Sequence, residues 1–250
     1  MEKKIVSRIT LAKVFLRSFL FQSSWNFERL QNMGALYTIA PALRQLYRGK
    51  ELADAYRRHL DYFNTHPFLA SPVLGSVIAL EEEAARGESA ALSVQEYKGM
   101  IMAPYAAIGD ALFWGGLRPL AAGISLFFAA KGSLWAPVVF LLFFNLPHLW
   151  FRTVGLLRGY RQGMRIVEVM QRRRLPDLAI RLKEGTVVLL GGLCAYLAYL
   201  QLEGESLSPG WGLCIPLVVS LFGWLVRRGT SVLLLVLAVA FGMVMLGQFG

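Results

Sequence analysis

The sequence predicts an all-α polytopic membrane protein. Of its 250 residues, 56% are hydrophobic and only 17% are charged, and the mean hydropathy is +0.49. A soluble domain is roughly 45–50% apolar and about 25% charged. The longest apolar runs lie in the second half of the chain, where short basic segments separate them. We therefore expect interfacial amphipathic amino-terminal helices, a re-entrant or broken central segment, and then about four to five transmembrane helices.

The first helical pattern, over residues 3–20, is amphipathic rather than membrane-spanning. At about 100° per residue, its apolar side chains form one stripe that basic side chains border on both sides. The stripe comprises Ile5, Ile9, Ala12, Leu16, Phe19 and Leu20, and the bordering residues are Lys4, Arg8, Lys13 and Arg17. This pattern is typical of a helix that lies in the membrane interface with its cations near anionic headgroups. An amphipathic helix packed on a soluble core would show the same pattern.

Two polar stretches in the first half of the chain have the chemistry of a sugar site. Residues 21–33 combine the ring of Trp25 with the polar groups of Asn26 and Glu28, and Asn64 begins a polar turn after a predicted helix. Sugar sites pair amides and carboxylates, which bind hydroxyl groups, with an aromatic ring against the apolar face of the pyranose. A structural network of hydrogen bonds would use the same residue types.

The polar region, residues 41–101, contains two predicted helices, at residues 51–63 and 77–86. His66 lies in the turn between them and is a candidate for titration near neutral pH. Capping the preceding helix is the simpler role for both Asn64 and His66. The three consecutive carboxylates Glu81, Glu82 and Glu83 are expected to form a solvated helix face, with room for one of them to turn inward.

The stretch from Met102 to Leu120 places charges inside an apolar run. Asp110 and Arg118 are eight residues apart, with Trp114 between them. Each charge at the bilayer centre costs roughly 2.5–3.5 kcal/mol and is tolerated when it faces an opposite charge, a cavity or a partner. The glycines and prolines of this stretch would interrupt a straight helix, and broken backbone at membrane depth needs protein or water around it. These properties predict a polar-solute site in a membrane protein, whereas a soluble loop before the first span is the simpler alternative.

Four apolar segments are predicted spans, at residues 134–151, 185–200, 211–226 and 230–246. The apolar run 119–130 is too short to cross alone, so a discontinuous or hairpin-preceded first span is expected there. Between them, residues 152–183 carry nine basic and two acidic side chains, which gives +7 of the chain's net +10. The positive-inside rule explains such a segment better than nucleic-acid binding does. We therefore predict an interfacial or cytoplasmic region, residues 1–103, and a transmembrane region, residues 104–250, with a basic cytoplasmic loop at 152–183. The amino terminus is then cytoplasmic and the carboxy terminus external.

The sequence shows no motif for autonomous catalysis. No nucleophile–base pair, phosphate-binding glycine loop or metal-ligand spacing stands out, and the two cysteines, Cys194 and Cys214, lie in apolar runs without a metal-binding pattern. We therefore expect no catalytic residue, no metal and no cofactor in this chain.

Long blocks of the sequence resemble the IID component of the mannose-type sugar phosphotransferase system. The blocks are FLRSFLFQSSWNFERLQNMGALYTIAPALRQLY, RRHLDYFNTHPFLASPVLGSVIALEEE, MAPYAAIGDALFWGGLRPL, LFFNLPHLWFR, GYRQGMRIV and RLKEGTVVLLG, which together extend over nearly the whole chain. The sequence departs from the family pattern in two places. The family's usual aspartate–proline step is Asp110–Ala111 here, and the region around Gly204–Gly210 is shorter than in familiar members.

The resemblance implies a membrane subunit that forms a sugar-translocating unit with a IIC partner. Soluble IIA and IIB components would carry the phosphoryl group, IIB would pass it to a hexose or amino sugar, and IIC–IID pairs would form a trimer in the bacterial inner membrane. The candidate site-lining residues are Trp25, Asn26, Glu28, Asn64, Asp110, Trp114 and Arg118, and the candidate docking residues for IIB are Arg172, Arg173 and Arg174. A non-transporting scaffold or regulatory protein that kept this fold is the alternative.

Overall fold

The computed structural model describes residues 5–88, 92–172, 174–204 and 208–249, and this part of the chain is helical without a β-strand. The prediction of an all-α protein is confirmed. The chain divides into two compact units, Met1–Leu189 and Leu190–Gly250. The helices are α1 (Arg8–Ser18), α2 (Asn32–Leu46), α3 (Gly49–His59), α4 (Ala70–Ala85), α5 (Val94–Gly109), α6 (Arg118–Ala130), α7 (Ala136–Gln162), α8 (Ile166–Arg172), α9 (Leu175–Gly204), α10 (Cys214–Arg227) and α11 (Val232–Phe249).

The core of the first unit is built around α4, every residue of which is buried from Ala70 to Glu82. Helix α7 packs directly on it through small residues. A Cβ atom at Gly159 would lie 2.2 Å from the carbonyl oxygen of Pro72, and one at Gly75 would lie 2.4 Å from that of Leu156. The two backbones therefore approach more closely than any side chain would allow, which is the packing mode that glycine permits between membrane helices.

The predicted solvated face of α4 is wrong for Glu81 and Glu82, which are buried at 0% and 1% exposure. Glu81 accepts hydrogen bonds from Arg58, from the Nε2 of His59 at 2.8 Å and from the hydroxyl of Tyr47 at 2.8 Å. Glu82 is equally well satisfied by donors that are distant in sequence: the backbone N–H groups of residues 5 and 6, and the hydroxyl of residue 160. These partners come from other elements, so local charge patterning could not reveal the burial.

Helix α1 runs antiparallel to the carboxy-terminal part of α7. At one end the Tyr160 hydroxyl lies 3.5 Å from the carbonyl oxygen of Val6, and at the other Arg152 donates to the carbonyl oxygen of Ser18. The buried face of α1 is Leu11, Val14 and Ser18. The predicted apolar stripe of Ile5, Ile9, Ala12, Leu16, Phe19 and Leu20 is exposed, as expected for a face that contacts a membrane or a partner, and Ala12 also borders a groove between α1 and α7.

The central segment is one helical stretch of 37 residues, Val94–Ala130, which departs from α geometry in its middle. It begins with a capping box between Ser93 and Glu96. Residues Asp110–Leu117 then form a π-helix between α5 and α6. The irregularity that the glycines and prolines predict thus takes the form of widened turns inside a continuous helix, a feature often found at functional sites.

Three helical stretches of the described residues are long and apolar enough to cross a membrane: Val94–Ala130, Ala136–Glu168 and Leu175–Gly204. Two shorter apolar helices follow at Cys214–Arg227 and Val232–Met245. Each of the five apolar stretches overlaps one of the predicted apolar segments, but only three are long enough to cross a membrane, so the number of four to five transmembrane helices stays a prediction. The unit boundary after Leu189 describes compactness, so the division at residue 103 between interfacial and membrane regions stays a prediction.

The segment predicted as a basic loop, residues 152–183, is largely helical in the structure, where it contains the end of α7, the whole of α8 and the start of α9. Its first arginine is also not solvated. Arg152 is 5% exposed, donates to the backbone of Ser18 and lies 3.5 Å from the carbonyl oxygen of Pro67. Arg172 and Arg174 are exposed, while Arg173 lies outside the described residues.

Candidate functional site

A polar cavity of about 290 Å³ opens beside the π-helix. It is enclosed by the turn between α3 and α4, by the connection between α1 and α2, and by one face of the α5–π stretch. Its lining residues are Gln22, Trp25, Gln31, Asn64, Thr65, His66, Pro67, Ala106, Asp110 and Trp114. The volume is at the lower end of the roughly 300–1,000 Å³ of ligand sites, which suits one small solute.

Four of the seven predicted site residues meet at this cavity. Trp25, Asn64, Asp110 and Trp114 all line it, although up to 89 residues separate them along the chain. Trp25 and Trp114 are 45% and 40% exposed, so part of each side chain is accessible. The fold thus brings together one carboxylate, one amide and two aromatic rings, the groups that the sequence proposed for one site.

Asn26 and Glu28 do not line the cavity. The side-chain amide of Asn26 donates to the Oδ1 of Asn32 at 2.9 Å, and its oxygen accepts from the backbone N–H of Arg29 at 2.8 Å. Glu28 is exposed and pairs with the Arg29 guanidinium at 3.2 Å. Asn26 therefore holds the shape of the connection between α1 and α2, which is the structural role that its residue type also allowed.

Arg118 lies outside the cavity as well, at the end of the π-helix. Its guanidinium carbon is 5.7 Å from the centroid of the Trp114 ring, a cation–π contact. Among the ion pairs of the described residues, none joins Arg118 to Asp110. Arg118 can therefore influence the cavity through the orientation of Trp114, while Asp110 keeps its carboxylate available.

Gln31 and Thr65 are cavity residues that the sequence did not single out. The side-chain Oε1 of Gln31 accepts a hydrogen bond from the Thr65 backbone N–H at 2.9 Å. The backbone N–H of Gln31 donates to the carbonyl oxygen of Phe63 at 2.8 Å. The Thr65 hydroxyl is buried and has no hydrogen-bond partner within the described part of the chain. A pairing across 34 residues leaves no local signal, so only the fold could identify this contact.

His66, which also lines the cavity, carries a second unpartnered polar atom. Its Nδ1 accepts from the Phe68 backbone N–H at 3.3 Å, so in the neutral ring the proton lies on Nε2. That Nε2 is buried and has no partner among the described residues. Burial, aided by the positive charge of Arg152, lowers the pKa of His66 to about 4. The expected titration near neutral pH is therefore wrong, and His66 offers a fixed N–H donor.

An aromatic wall holds the His66 ring in place. The ring stacks on Phe113 with centroids 5.1 Å apart and an interplanar angle of 12°. It also contacts Trp114 at 5.2 Å, and Trp114 stacks in turn against Phe144 of α7 at 6.0 Å. A Cβ atom at Gly109, the last residue of α5, would lie only 2.2 Å from the Cβ of His66. Gly109 therefore lets the junction of α5 and the π-helix approach the turn that carries Thr65 and His66.

The arrangement is suited to binding a neutral polyhydroxylated solute. It offers hydrogen-bond donors at residues 65 and 66, a carboxylate and an amide as further partners, and indole faces for apolar C–H groups. Within the described residues, no cluster of three or more histidine, cysteine, aspartate or glutamate side chains could hold a metal ion. The fold and the cavity together define a polytopic helical membrane protein with a polar cavity beside its π-helix.

Comparison with known proteins identifies the family. The model of the mannose/fructose/sorbose family IID component of the PTS system matches residues 5–249. The mannose-specific EIID component of Escherichia coli K12 is 44% identical over 172 residues, which is 68% of this chain and 60% of that relative. The fructose permease IID component of Bacillus subtilis is 34% identical over 88% of this chain and 76% of the relative. The chain therefore belongs to the IID components of the mannose-family phosphotransferase transporters, and the resemblance in the sequence is confirmed.

Two solved structures have the same fold. One, described as the structure of a membrane protein, has a TM-score of 0.77 and 33% identity, and the match covers 99% of this chain and 97% of that chain. The other belongs to a cryo-EM structure of the mannose transporter ManYZ in complex with microcin E492, with a TM-score of 0.60, 33% identity and the same coverage. The membrane-protein fold predicted from composition is confirmed by both.

Proposed function

We propose that this chain forms the sugar-translocating unit together with a IIC subunit, and that the cavity beside the π-helix contacts the sugar. The observation that carries this proposal is that two residues lining one cavity, Thr65 and His66, each carry a buried polar atom, Oγ1 and Nε2, without a partner among the described residues. Leaving a buried polar group without a partner costs about 1–3 kcal/mol. A site that tolerates two such groups beside a carboxylate and two indoles is built to receive hydroxyl groups.

Each lining residue has a specific role on this proposal. The Asp110 carboxylate accepts hydrogen bonds from sugar hydroxyls, the Asn64 amide both donates and accepts, and the His66 Nε2–H donates. Trp25 and Trp114 pack against the apolar face of the sugar ring. Arg118 supports Trp114, and Asn26 with Glu28 supports the connection that carries Trp25.

The IIC subunit would supply the rest of the passage. One structural neighbour belongs to a complex described as the mannose transporter ManYZ with microcin E492, and this chain exposes large apolar side chains such as Leu134, Trp135 and Trp150, at 93%, 68% and 64% exposure. Lipid and a membrane partner would together cover such surfaces. The relatives are described as mannose-, fructose- and sorbose-specific, so the substrate class we propose is hexoses and related sugars.

Phosphorylation would drive uptake on this proposal. A IIB component, itself charged by IIA, passes the phosphoryl group to the sugar at the inner mouth, and the charged product cannot return. We further propose that IIC–IID pairs form a trimer in the bacterial inner membrane. The basic residues 152–183 then face the cytoplasm together with the amino terminus, and the carboxy terminus faces outward.

The substitution Asp110→Asn tests the sugar site. Co-expressed with its IIC partner in membrane vesicles, the variant should show phosphoenolpyruvate-dependent hexose uptake reduced roughly 10- to 100-fold, because a hydrogen bond to a charged group contributes about 1.5–3 kcal/mol. Co-purification with IIC should be unchanged. The matched control is Asp54→Asn, an exposed aspartate of α3. Normal uptake by Asp110→Asn would remove this residue from the site, and no uptake by the unsubstituted complex would favour the scaffold alternative.

The basic residues between α8 and α9 are proposed to dock the phosphorylated IIB component. Replacing Arg172, Arg173 and Arg174 by Glu should weaken IIB binding, most strongly at low ionic strength, because exposed charges are screened by salt. Lys131, at the opposite end of α7, provides the control substitution Lys131→Glu. Binding by surface plasmon resonance that is unchanged at low salt would refute the docking role. A reporter fused to the carboxy terminus would show whether the topology had changed instead.

A further inference from the structure

A second, larger groove lies between α1 and α7. Its volume is about 780 Å³, and its walls are mainly apolar, with Leu11 and Phe15 on one side and Leu156 and Leu157 on the other. The polar groups at its rim include Ser7 and Thr153, and no acidic residue lines it. The groove is separate from the sugar cavity, with which it shares no lining residue.

Two arginines line this groove at the same end. Because α1 and α7 are antiparallel and Val6 lies beside Tyr160, Arg8 of α1 and Arg161 of α7 are both at that end. Both side chains are exposed, and neither has a hydrogen-bond or ion-pair partner within the described part of the chain. From Arg8 to Phe15 the groove follows α1 for two helical turns, or roughly 10 Å, towards its apolar end.

We propose that this groove binds one anionic phospholipid of the cytoplasmic leaflet. Arg8 and Arg161 bind the phosphate of the headgroup, and an acyl chain lies between Phe15 and Leu157. The match between the charges of the groove and those of the lipid supports this occupant, because basic pockets between membrane helices on the cytoplasmic side suit anionic headgroups. A free phosphate would leave the apolar walls unused, and a purely apolar helix would leave two guanidinium groups without a counter-charge.

The position of the groove gives the lipid a structural consequence. Helix α1 is fixed to α7 at two ends, by the Tyr160–Val6 contact and by Arg152 on Ser18, while the groove separates the two helices between them. A bound acyl chain would fill this gap and bury apolar surface on both helices, which stabilises their association. The lipid therefore acts as a packing element of the first unit.

Native mass spectrometry of the full IIC–IID complex, stripped of lipid in detergent, would test the proposal. Phosphatidylglycerol should add as a discrete adduct at low micromolar concentration, while phosphatidylcholine of the same chain length should not. The double variant Arg8→Gln/Arg161→Gln should bind phosphatidylglycerol roughly thirty-fold more weakly, because each arginine makes a similar electrostatic contribution to the binding free energy of an anionic headgroup. The matched control is Lys13→Gln/Arg165→Gln, which removes the same two charges from exposed positions that do not line the groove.

Two further arms separate the lipid from other occupants. Ala12→Trp places a ring in the apolar part without changing any charge, and it should abolish the adduct, whereas sn-glycerol 1-phosphate should not displace the lipid. Equal binding by the arginine variant and its control would overturn the proposal, as would equal binding of phosphatidylcholine. Displacement by glycerol phosphate would assign the arginines to a soluble anion. An adduct on the separate IID chain that disappears in the complex would show that a IIC helix occupies the groove.

Discussion

Two polar regions of the first unit differ in how completely their groups are paired. In the network beneath α4, Glu81 accepts from Arg58, His59 and Tyr47, and the Nδ1 of His59 lies 3.4 Å from the Lys98 ammonium group. In the cavity beside the π-helix, Thr65 Oγ1 and His66 Nε2 are buried without partners in the described residues. The polar groups of both regions are buried, but the Glu81 carboxylate of the first region accepts hydrogen bonds from three side chains.

This difference separates a structural network from the proposed binding site. Burial alone would raise the pKa of Glu81, but hydrogen bonds from Arg58 and His59 outweigh it and lower the value to about 2. A fully hydrogen-bonded buried network fixes how helices pack. An unpaired buried donor instead destabilises the ligand-free protein, and a ligand that accepts its hydrogen bond removes this cost and so binds more favourably. Burial of a charge is therefore a poor guide to function in this protein, and unpaired polar atoms carry an argument for binding only where their residues also line a cavity.

The largest expected effect comes from breaking the network with Glu81→Gln. Removing one partner of a buried ion pair costs about 3–5 kcal/mol, and we expect the lower end because the Arg58 side chain is still 24% exposed. The variant should show the lowest melting temperature in fluorescence-detected size-exclusion measurements and a much reduced yield. Glu51→Gln, at an exposed glutamate of α3, is the control and should behave like the unsubstituted protein. Equal stability of the two variants would contradict a structural role for the network.

The pH dependence of the free energy of unfolding should show the contribution of His66 protonation. Because the folded pKa of His66 is about 4, against 6.5 in the unfolded chain, the unfolded state binds protons first as the pH falls. The stabilisation from neutral His66 is complete above pH 6.5 and is lost towards pH 4, by about 2–3 kcal/mol at pH 4.5. His66→Phe should flatten the melting-temperature profile over this window. His59, whose pKa is also lowered by burial, keeps part of the slope in both proteins, so an unchanged profile would mean that His66 does not contribute.

A pair of single-hydroxyl deletions should give the smallest effects. Tyr47→Phe removes a donor to Glu81 and should lower stability by about 1.5 kcal/mol. Thr65→Val removes a hydroxyl that has no partner in the described protein, so its melting temperature should stay equal or rise. Its KM for sugar uptake in the IIC complex should instead rise about fivefold, the loss of one ordinary hydrogen bond. A clear loss of stability in Thr65→Val, with unchanged KM, would reverse the distinction between the two regions.

Sequence patterns predicted the elements whose physical cause is local. The apolar runs that became α7 and α9, the amphipathic α1 with its exposed stripe, and the irregular stretch at Asp110–Leu117 all follow from hydropathy, periodicity and the positions of glycine and proline. The chemistry of the cavity was also partly predictable, because Trp25, Asn64, Asp110 and Trp114 are polar or aromatic residues in conspicuous places. The same reasoning included Asn26, Glu28 and Arg118, whose residue types also suit a site. In the structure these side chains do not line the cavity and instead contact Asn32, Arg29 and Trp114, respectively.

The sequence by itself determined that this chain is a helical membrane protein, because the number and spacing of apolar residues fix which segments can leave water. Only the tertiary structure decided which polar groups have hydrogen-bond partners within the protein and which do not. Glu81 and Glu82 became structural because residues from the amino terminus, α2, α3 and α7 converge on them, and Thr65 and His66 became candidate ligand groups because nothing in the described chain does. The physical reason is that a hydrogen bond needs a partner within about 3 Å, and distance in space is set by packing rather than by position along the chain.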